Sequence, residues 1–154
     1  MKQIDVQEDF KDLPKVRVFK TDFVRALSNL IHNAIKYSET RSINNDNEIP
    51  KILIKYLVEN KYMVIKIENW GIGISSHELE KGLIFHFGSR GEYSQKDSKT
   101  GTGIGLTDAM EVARNHWGTI EIESHDVTKT SEKHITKAER LHHTIVKFIF
   151  KDVN

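Results

Sequence analysis

Three alternating glycines, Gly101, Gly103 and Gly105, interleaved with Thr102 and Ile104 and closed by Leu106, separate a long polar run from a segment of helical spacing. Backbone that carries no Cβ can come close to an anion. Downstream, Ile104, Leu106, Ala109, Met110, Val112 and Ala113 recur at the helical period as far as His116-Trp117-Gly118, so the glycines lie at a helix N-terminus. Free N–H groups and the positive end of the helix dipole gather there, and the chemistry on offer is phosphate binding. Spacing alone is weak evidence, because a dinucleotide fold also uses alternating glycines, but it needs a buried strand ahead of them. Residues 91–100 are polar and read as a loop, which points to a phosphate lid.

A second set of polar groups lies on one helix face. At about 100° per residue, Asn29, His32, Asn33 and Lys36 share an arc opposite an apolar stripe. Asparagine is a mediocre helix former, so two of them one turn apart cost something unless their amides are used. The bland reading is a solvated face, and by itself it would prevail. An amide oxygen is, however, a hard ligand suited to magnesium, and a lysine one turn away can meet the phosphates that such a metal bridges. His32 borders this group and reads more as a bystander than as a participant. A third element, Glu68-Asn69-Trp70-Gly71-Ile72-Gly73-Ile74, sits where an alternating strand runs out. There Asn69 could read a flat base edge while Gly71 and Gly73 keep the floor free of Cβ atoms. An ordinary glycine turn into the next helix is the competing reading.

These groups need a scaffold. A chain of 154 residues with 38% hydrophobic content fits one domain with its own core. Zero cysteines exclude a disulfide framework and a thiolate metal site, and no secretion signal stands at the start, so an intracellular, cytoplasmic domain is expected. Lys and Arg total 23 against 22 Asp and Glu, a balance that favours neither nucleic acid nor an anionic membrane. No apolar run approaches the roughly 20 residues that span a bilayer. If the parent protein is membrane-anchored, another segment does it.

Along the chain, residues 1–15 read as an irregular N-terminal extension and 16–154 as the domain, with Val16, Val18 and Phe19 as a short strand. Phe23, Ala26, Leu27, Leu30, Ile31, Ala34 and Ile35 then make the best helix of the sequence, with Thr21 or Asp22 available as N-cap. A polar loop over 39–50 leads to a hairpin, residues 52–58 and 62–68 joined across Glu59-Asn60-Lys61. Ser75 with Glu78 forms a capping box for a short helix. Residues 119–123 and 145–150 read as strands, and 124–143 as a polar insertion with a short helix around 135–141. Strands adjoin in sequence without regular βαβ alternation, so an α+β sandwich with helices on one face is predicted.

The order of these elements resembles the ATP-binding catalytic domain of sensor histidine kinases, a branch of the GHKL ATPase superfamily. Residues 29–38 are similar to the kinase N box, 69–74 to the first glycine box, 84–90 to the F box, and 101–106 to the last glycine box. Four boxes in order are specific where any one is weak. The resemblance implies a two-layer sandwich of the GHKL (Bergerat) type, a mixed, mostly antiparallel sheet backed by three helices, with a mobile ATP lid. It implies ATP and Mg2+ as ligands. Asn33 would coordinate the magnesium, Lys36 would contact phosphate and Tyr37 would lie near the adenine. Asn29, Asn69, Gly71, Gly73 and Ile74 would complete the pocket. Phe85 and Arg90 would anchor or line the lid, and Gly101, Thr102, Gly103, Ile104, Gly105 and Leu106 would offer donors to the phosphates. Asn33 and Lys36 would carry the catalysis.

Two departures bear on function. The family has aspartate where this chain has Asn69; the amide can still accept from the adenine amino group, with a loss of charge assistance of roughly 1 kcal/mol, or about fivefold in affinity. In the F box only Phe85 aligns, with Phe87-Gly88 in place of the later aromatic. Asn29 stands where the topoisomerase and chaperone branches have a glutamate to activate water, and an amide is no base, so hydrolysis is expected to be poor. The implied partners are a histidine phosphoacceptor and dimerisation domain of the same parent protein and a response regulator; the isolated domain is expected to be monomeric. His77 reads as a capping-region histidine and His142-His143 as a solvated pair. The alternative to a kinase is a degenerate nucleotide-binding switch without phosphotransfer, and a serine kinase of the anti-sigma type ranks last.

Overall fold

The structure is a computed structural model that describes residues 3–11, 13–39, 49–94, 103–129 and 134–152. It is an α+β fold whose five strands lie in one sheet. In chain order these are β1 (Asp5–Asp9), β2 (Lys51–Glu59), β3 (Tyr62–Gly71), β4 (Thr119–Asp126) and β5 (His142–Phe150), and their order across the sheet is β1-β2-β3-β5-β4. Only the β1–β2 pair is parallel. Three helices, α1 (Lys20–Tyr37), α2 (Ser76–Glu80) and α3 (Gly105–Asn115), accompany the sheet.

The hairpin of β2 and β3 follows from its turn. Glu59 pairs with Tyr62, leaving Asn60 and Lys61 as a two-residue loop with φ of 50° and 70°. Positive φ at both positions gives the tight turn whose twist matches the flanking strands. Alternation then sends Ile52, Ile54, Met63 and Ile67 to the helical side, where Phe148 and Phe150 of β5 and Ile120 of β4 join them. The helices meet this layer through Ala26, Leu30 and Ala34 of α1 and Ala109, Met110, Val112 and Ala113 of α3. Alanines let both helices sit close to the sheet and to each other. Phe23 closes the far end, edge-on to Phe148 and Phe150 at centroid distances of 5.4 and 4.8 Å.

Several expectations are corrected. Residues 16–19 are no strand, and the first strand is Asp5–Asp9 in the stretch that reads as irregular. The backbone donors explain it: Arg17 N–H goes to Asp152 Oδ1 at 2.9 Å and Phe19 N–H to His116 Nε2 at 3.1 Å. Side chains thus take what a ladder would need, while Val16 and Val18 still pack on the core. One βαβ unit results, β1–α1–β2. Helix α1 begins at Lys20 with Phe19 as N-cap and no side-chain cap, so neither Thr21 nor Asp22 caps it; Asp22 pairs instead with Arg25 at 2.8 Å. Ile35 is 39% exposed and lies outside the core stripe.

The polar insertion is also more regular than its composition suggests. Ser124 and Asp126 extend β4 and pair with Thr144 and His142, so β5 starts at His142, three residues ahead of the expected Ile145. The short helix expected around 135–141 is a single 3-10 turn, Lys137–Glu139, closed by a capping box between Thr136 and Glu139. By contrast, the Ser75–Glu78 capping box of α2 is present as expected.

Candidate functional site

Backbone hydrogen bonds bring the polar end of α1 to the end of β3. Ile72 N–H donates to Tyr37 O and Glu39 N–H to Trp70 O, each at 3.0 Å. Gly71 makes this approach possible, because a Cβ there would stand 2.0 Å from Tyr37 O and 2.6 Å from Glu39 N. Its hydrogen therefore faces the helix end, and Gly71 is not among the residues that line the cavity beside it. That corrects its expected role as an open floor. Gly73 does line the cavity, yet a Cβ on it would strike the His142 ring at 2.1 Å.

The cavity has a volume of about 660 Å³, within the range of small-molecule sites. Asn29, His32, Asn33, Lys36 and Tyr37 of α1 line one wall, as the helical arc predicted for the first three and Lys36. Lys36 Nζ lies 4.9 Å from the Tyr37 ring centroid. Asn69 and Ile74 line the base, Arg90 the rim, and Gly103, Ile104, Gly105 and Leu106 the opposite end. Gly101 and Thr102 lie outside the described residues. Phe85 is not in the lining; it packs against the core, its carbonyl receiving the Thr107 hydroxyl at 3.0 Å, and Ile84 faces the cavity instead.

At the glycine end, Gly88 N–H donates to Gly103 O at 3.1 Å and joins the two stems of the intervening segment. Gly103 has φ of 68°, and a Cβ on it would meet Gly88 C and Ser89 O at 2.5 Å. Both observations demand glycine. Helix α3 follows with Ile104 as N-cap and no side-chain cap. Its first N–H groups are accordingly open to an anion in the cavity.

Several lining residues carry no motif and were not predicted, the polar Arg25, Asp108 and Thr144 among them. Asp108, in the first turn of α3, accepts from Arg25 Nε at 3.0 Å and from Asn29 Nδ2 at 3.1 Å. These bonds clamp α3 to α1, and they raise the affinity of the Arg25 guanidinium for its proton, chiefly through the hydrogen bond to Asp108. The Asn29 amide nitrogen is therefore committed to Asp108. Only an acidic residue in a helical first turn opposite an arginine on the other helix signalled this, and the partners are 83 residues apart.

At the base, Asn69 is 4% exposed and its Nδ2 has no hydrogen-bond partner. Thr144, its neighbour in the β3–β5 register, lines the same wall. Thr144 Oγ1 lies 3.0 Å from Ser124 Oγ, which in turn is 3.3 Å from His142 Nδ1 and accepts from Ile74 N–H at 3.1 Å. His142 is buried here, and His143 bonds Glu68 Oε2 at 2.8 Å while stacking on Trp70 at 4.3 Å. The expected solvated pair is thus two structural histidines on opposite faces of β5. Burial raises the Glu68 carboxyl, but hydrogen bonds from Lys66 and His143 outweigh it and leave its pKa below the ordinary value. Near the rim, buried Glu78 accepts from Glu92 N–H at 2.8 Å and so ties the α2 cap to the chain that leads away from Arg90.

Among the described residues no three His, Cys, Asp or Glu side chains cluster as a metal site. A magnesium ion that arrives with a polyphosphate needs no such cage, since it keeps waters and takes one or two protein oxygens. The carboxamides of Asn33 and Asn29 in the cavity wall are hard oxygen donors of that kind. The donor set fits.

Residues 20–148 match the family described as histidine kinase-, DNA gyrase B-, and HSP90-like ATPase. The sensor-like histidine kinase SenX3 of Mycobacterium tuberculosis is 31% identical over 121 residues, 79% of this chain and 27% of that protein. The signal transduction histidine-protein kinase ArlS of Staphylococcus aureus is 31% identical over 122 residues, 79% of this chain and 25% of that protein. The chain thus spans about a quarter of these curated relatives. Among solved structures, the catalytic domain of histidine kinase ThkA superposes with a TM-score of 0.65 at 20% identity, covering 97% of this chain and 79% of that one. A mycobacterial sensor histidine kinase, MprB, gives 0.63 at 18% identity, covering 97% and 84%.

Proposed function

The chain belongs to the histidine kinase-, DNA gyrase B-, and HSP90-like ATPase family, and we propose that it is the ATP-binding catalytic domain of a sensor histidine kinase. It hands the γ-phosphoryl group of ATP to a histidine on a separate helical dimerisation domain of its parent, from which a response regulator takes it. The observation that carries this reading is convergence: the amide and lysine face of α1, the buried Asn69 and the uncapped N-terminus of α3 all border one cavity.

In this reading Asn69 accepts from the base, and Gly103 to Leu106 supply backbone donors to the phosphates. Lys36 neutralises phosphate charge. Asn33, with Asn29 beside it, would hold magnesium, which supplies charge neutralisation at the phosphate oxygens. Transfer to imidazole needs no base in this chain: the neutral ring nitrogen forms the N–P bond with its own lone pair as the bond to the bridging oxygen breaks and ADP leaves with that electron pair. Positioning and electrostatics do the rest. Asn29 cannot activate water, and its Nδ2 is held by Asp108, so hydrolysis is slow.

A nucleotide switch without transfer is the second reading, favoured by Asn69 in place of the family's usual aspartate and by the altered F box, whose Phe87 is 77% exposed. Mixing the chain with Mg2+, labelled ATP and the dimerisation domain of its own parent separates the two. Acid-labile phosphate on that domain, lost in Asn33→Ala, supports the kinase; ATP binding without transfer leaves the switch. No helix among the described residues is long and apolar enough to cross a membrane, and the proposed place of action is the cytoplasmic side of the parent.

A further inference from the structure

Three polar groups at the base of the cavity can each be turned round without losing a hydrogen bond. The first is the Asn69 amide. No partner holds its buried Nδ2, so turning the side chain about its last torsion breaks nothing and presents either the oxygen or the NH2 to a base. A carboxylate in that place could only accept.

The second and third are the Thr144 and Ser124 hydroxyls, coupled to the His142 ring. Ser124 Oγ always accepts from Ile74 N–H. In one arrangement its O–H donates to His142 Nδ1 and it accepts the Thr144 O–H, which leaves Thr144 with a lone pair toward the cavity. In the other, His142 Nδ1–H donates to Ser124, Ser124 donates to Thr144, and the Thr144 O–H is released toward the cavity. The distances of 3.3 and 3.0 Å admit both, and the Ser124 hydroxyl keeps its three hydrogen bonds in each. A tautomer shift at His142, which occupies a buried position on β5, therefore inverts the polarity that Thr144 shows beside Asn69.

Adenine offers a donor at its 6-amino group and an acceptor at N1; guanine and hypoxanthine offer an acceptor at O6 and a donor at N1–H. From the reversibility of Asn69 and of the Thr144–Ser124–His142 chain we propose that this pocket takes 6-oxopurine nucleoside triphosphates as well as ATP. The proposal rests on the nucleotide-binding reading above and names the base it selects. Both arrangements offer complementary groups to position 6 and its neighbour, so that edge of either purine finds a partner.

Calorimetric titration of the wild-type chain with ATP, ITP and GTP in the presence of Mg2+ tests this. ITP or GTP should bind within about tenfold of ATP, a gap far smaller than a site built for one hydrogen-bond pattern imposes. Asn69→Asp should tighten ATP about fivefold and weaken both 6-oxopurines at least about tenfold, because a carboxylate faces their O6 with no proton to give. ATP binding with both ITP and GTP weaker by more than about tenfold overturns the proposal and leaves the nucleotide reading standing. Binding of none of the three defeats both. The wild-type comparison decides even without the variant.

Discussion

Asp108 is the one carboxylate among the described residues lining a cavity that is to hold a triphosphate, and Arg25 keeps it there. The guanidinium meets both carboxylate oxygens, Nε to Oδ2 and Nη2 to Oδ1, each at 3.0 Å, while Asn29 adds a third donor. Remove Arg25 and the negative charge stands open beside the phosphates, at the mouth of a helix whose own field favours anions. Arg25→Ala should therefore weaken ATP binding by about fivefold at low ionic strength, less at high salt, since exposed pairs are screened. Asp108→Asn in the Arg25→Ala background should restore it. A variant pair that fails to rescue in equilibrium titrations would detach Asp108 from nucleotide binding. Of the residues in this argument, Asn29 was readable in the sequence because helical spacing alone aligned it with Asn33 and Lys36. Asp108 was not, since nothing in the local string Thr107-Asp108-Ala109 shows which helix face meets another helix. Nor did the string show that Gly71 faces the end of α1; only the tertiary approach of Tyr37 assigns it.

Elements with a strong period were legible, and elements polar on both faces were not. Helices α1 and α3 and the β2–β3 hairpin follow from apolar repeats and one turn. The edge strand β1, Asp-Val-Gln-Glu-Asp, has a single apolar residue because an exposed edge discourages further pairing with charge. The outer ends of β4 and β5 likewise carry Ser124, Asp126, His142 and Thr144, chosen for the cavity base and the turn rather than for the core. Asp126 organises that turn. Burial raises its carboxyl, but bonds from the Thr128 hydroxyl and backbone N–H and from Arg140 prevail and lower its pKa to about 2. A folded pKa below the unfolded one means stability that is present above the ordinary carboxylate pKa and is lost as pH falls through the folded value. Asp126→Asn should thus cost about 1 kcal/mol near neutrality, a figure discounted for the exposure of the pair. It should also flatten the acid limb of stability between about pH 4 and 2. Denaturant melts at pH 7 and pH 2.5 check this: equal losses at both would remove Asp126 from the acid transition.

For the molecule as a whole, the question is where the phosphoryl group can go. The chain has eight histidines, and the fold assigns most of them elsewhere. His116 is fully buried, its Nε2 receiving Phe19 N–H and its Nδ1 beside Val112 O at 2.8 Å, so it ties the entry of α1 to the exit of α3. His142 and His143 are held by Ser124 and Glu68. His77, His86, His125 and His134 are exposed and outside the cavity lining. Only His32 lines the cavity, and it lies on the rigid helix that also carries Asn33 and Lys36. An acceptor one turn from the groups proposed to hold the phosphates is badly placed to swing into line behind the γ-phosphorus, because in-line displacement needs the nucleophile opposite the leaving oxygen. Incubation of the chain alone with γ-labelled ATP and Mg2+ should then leave it unlabelled at acid-labile positions. Stoichiometric label that disappears in His32→Gln would show transfer within the chain and replace the in-trans scheme with one that needs no second domain.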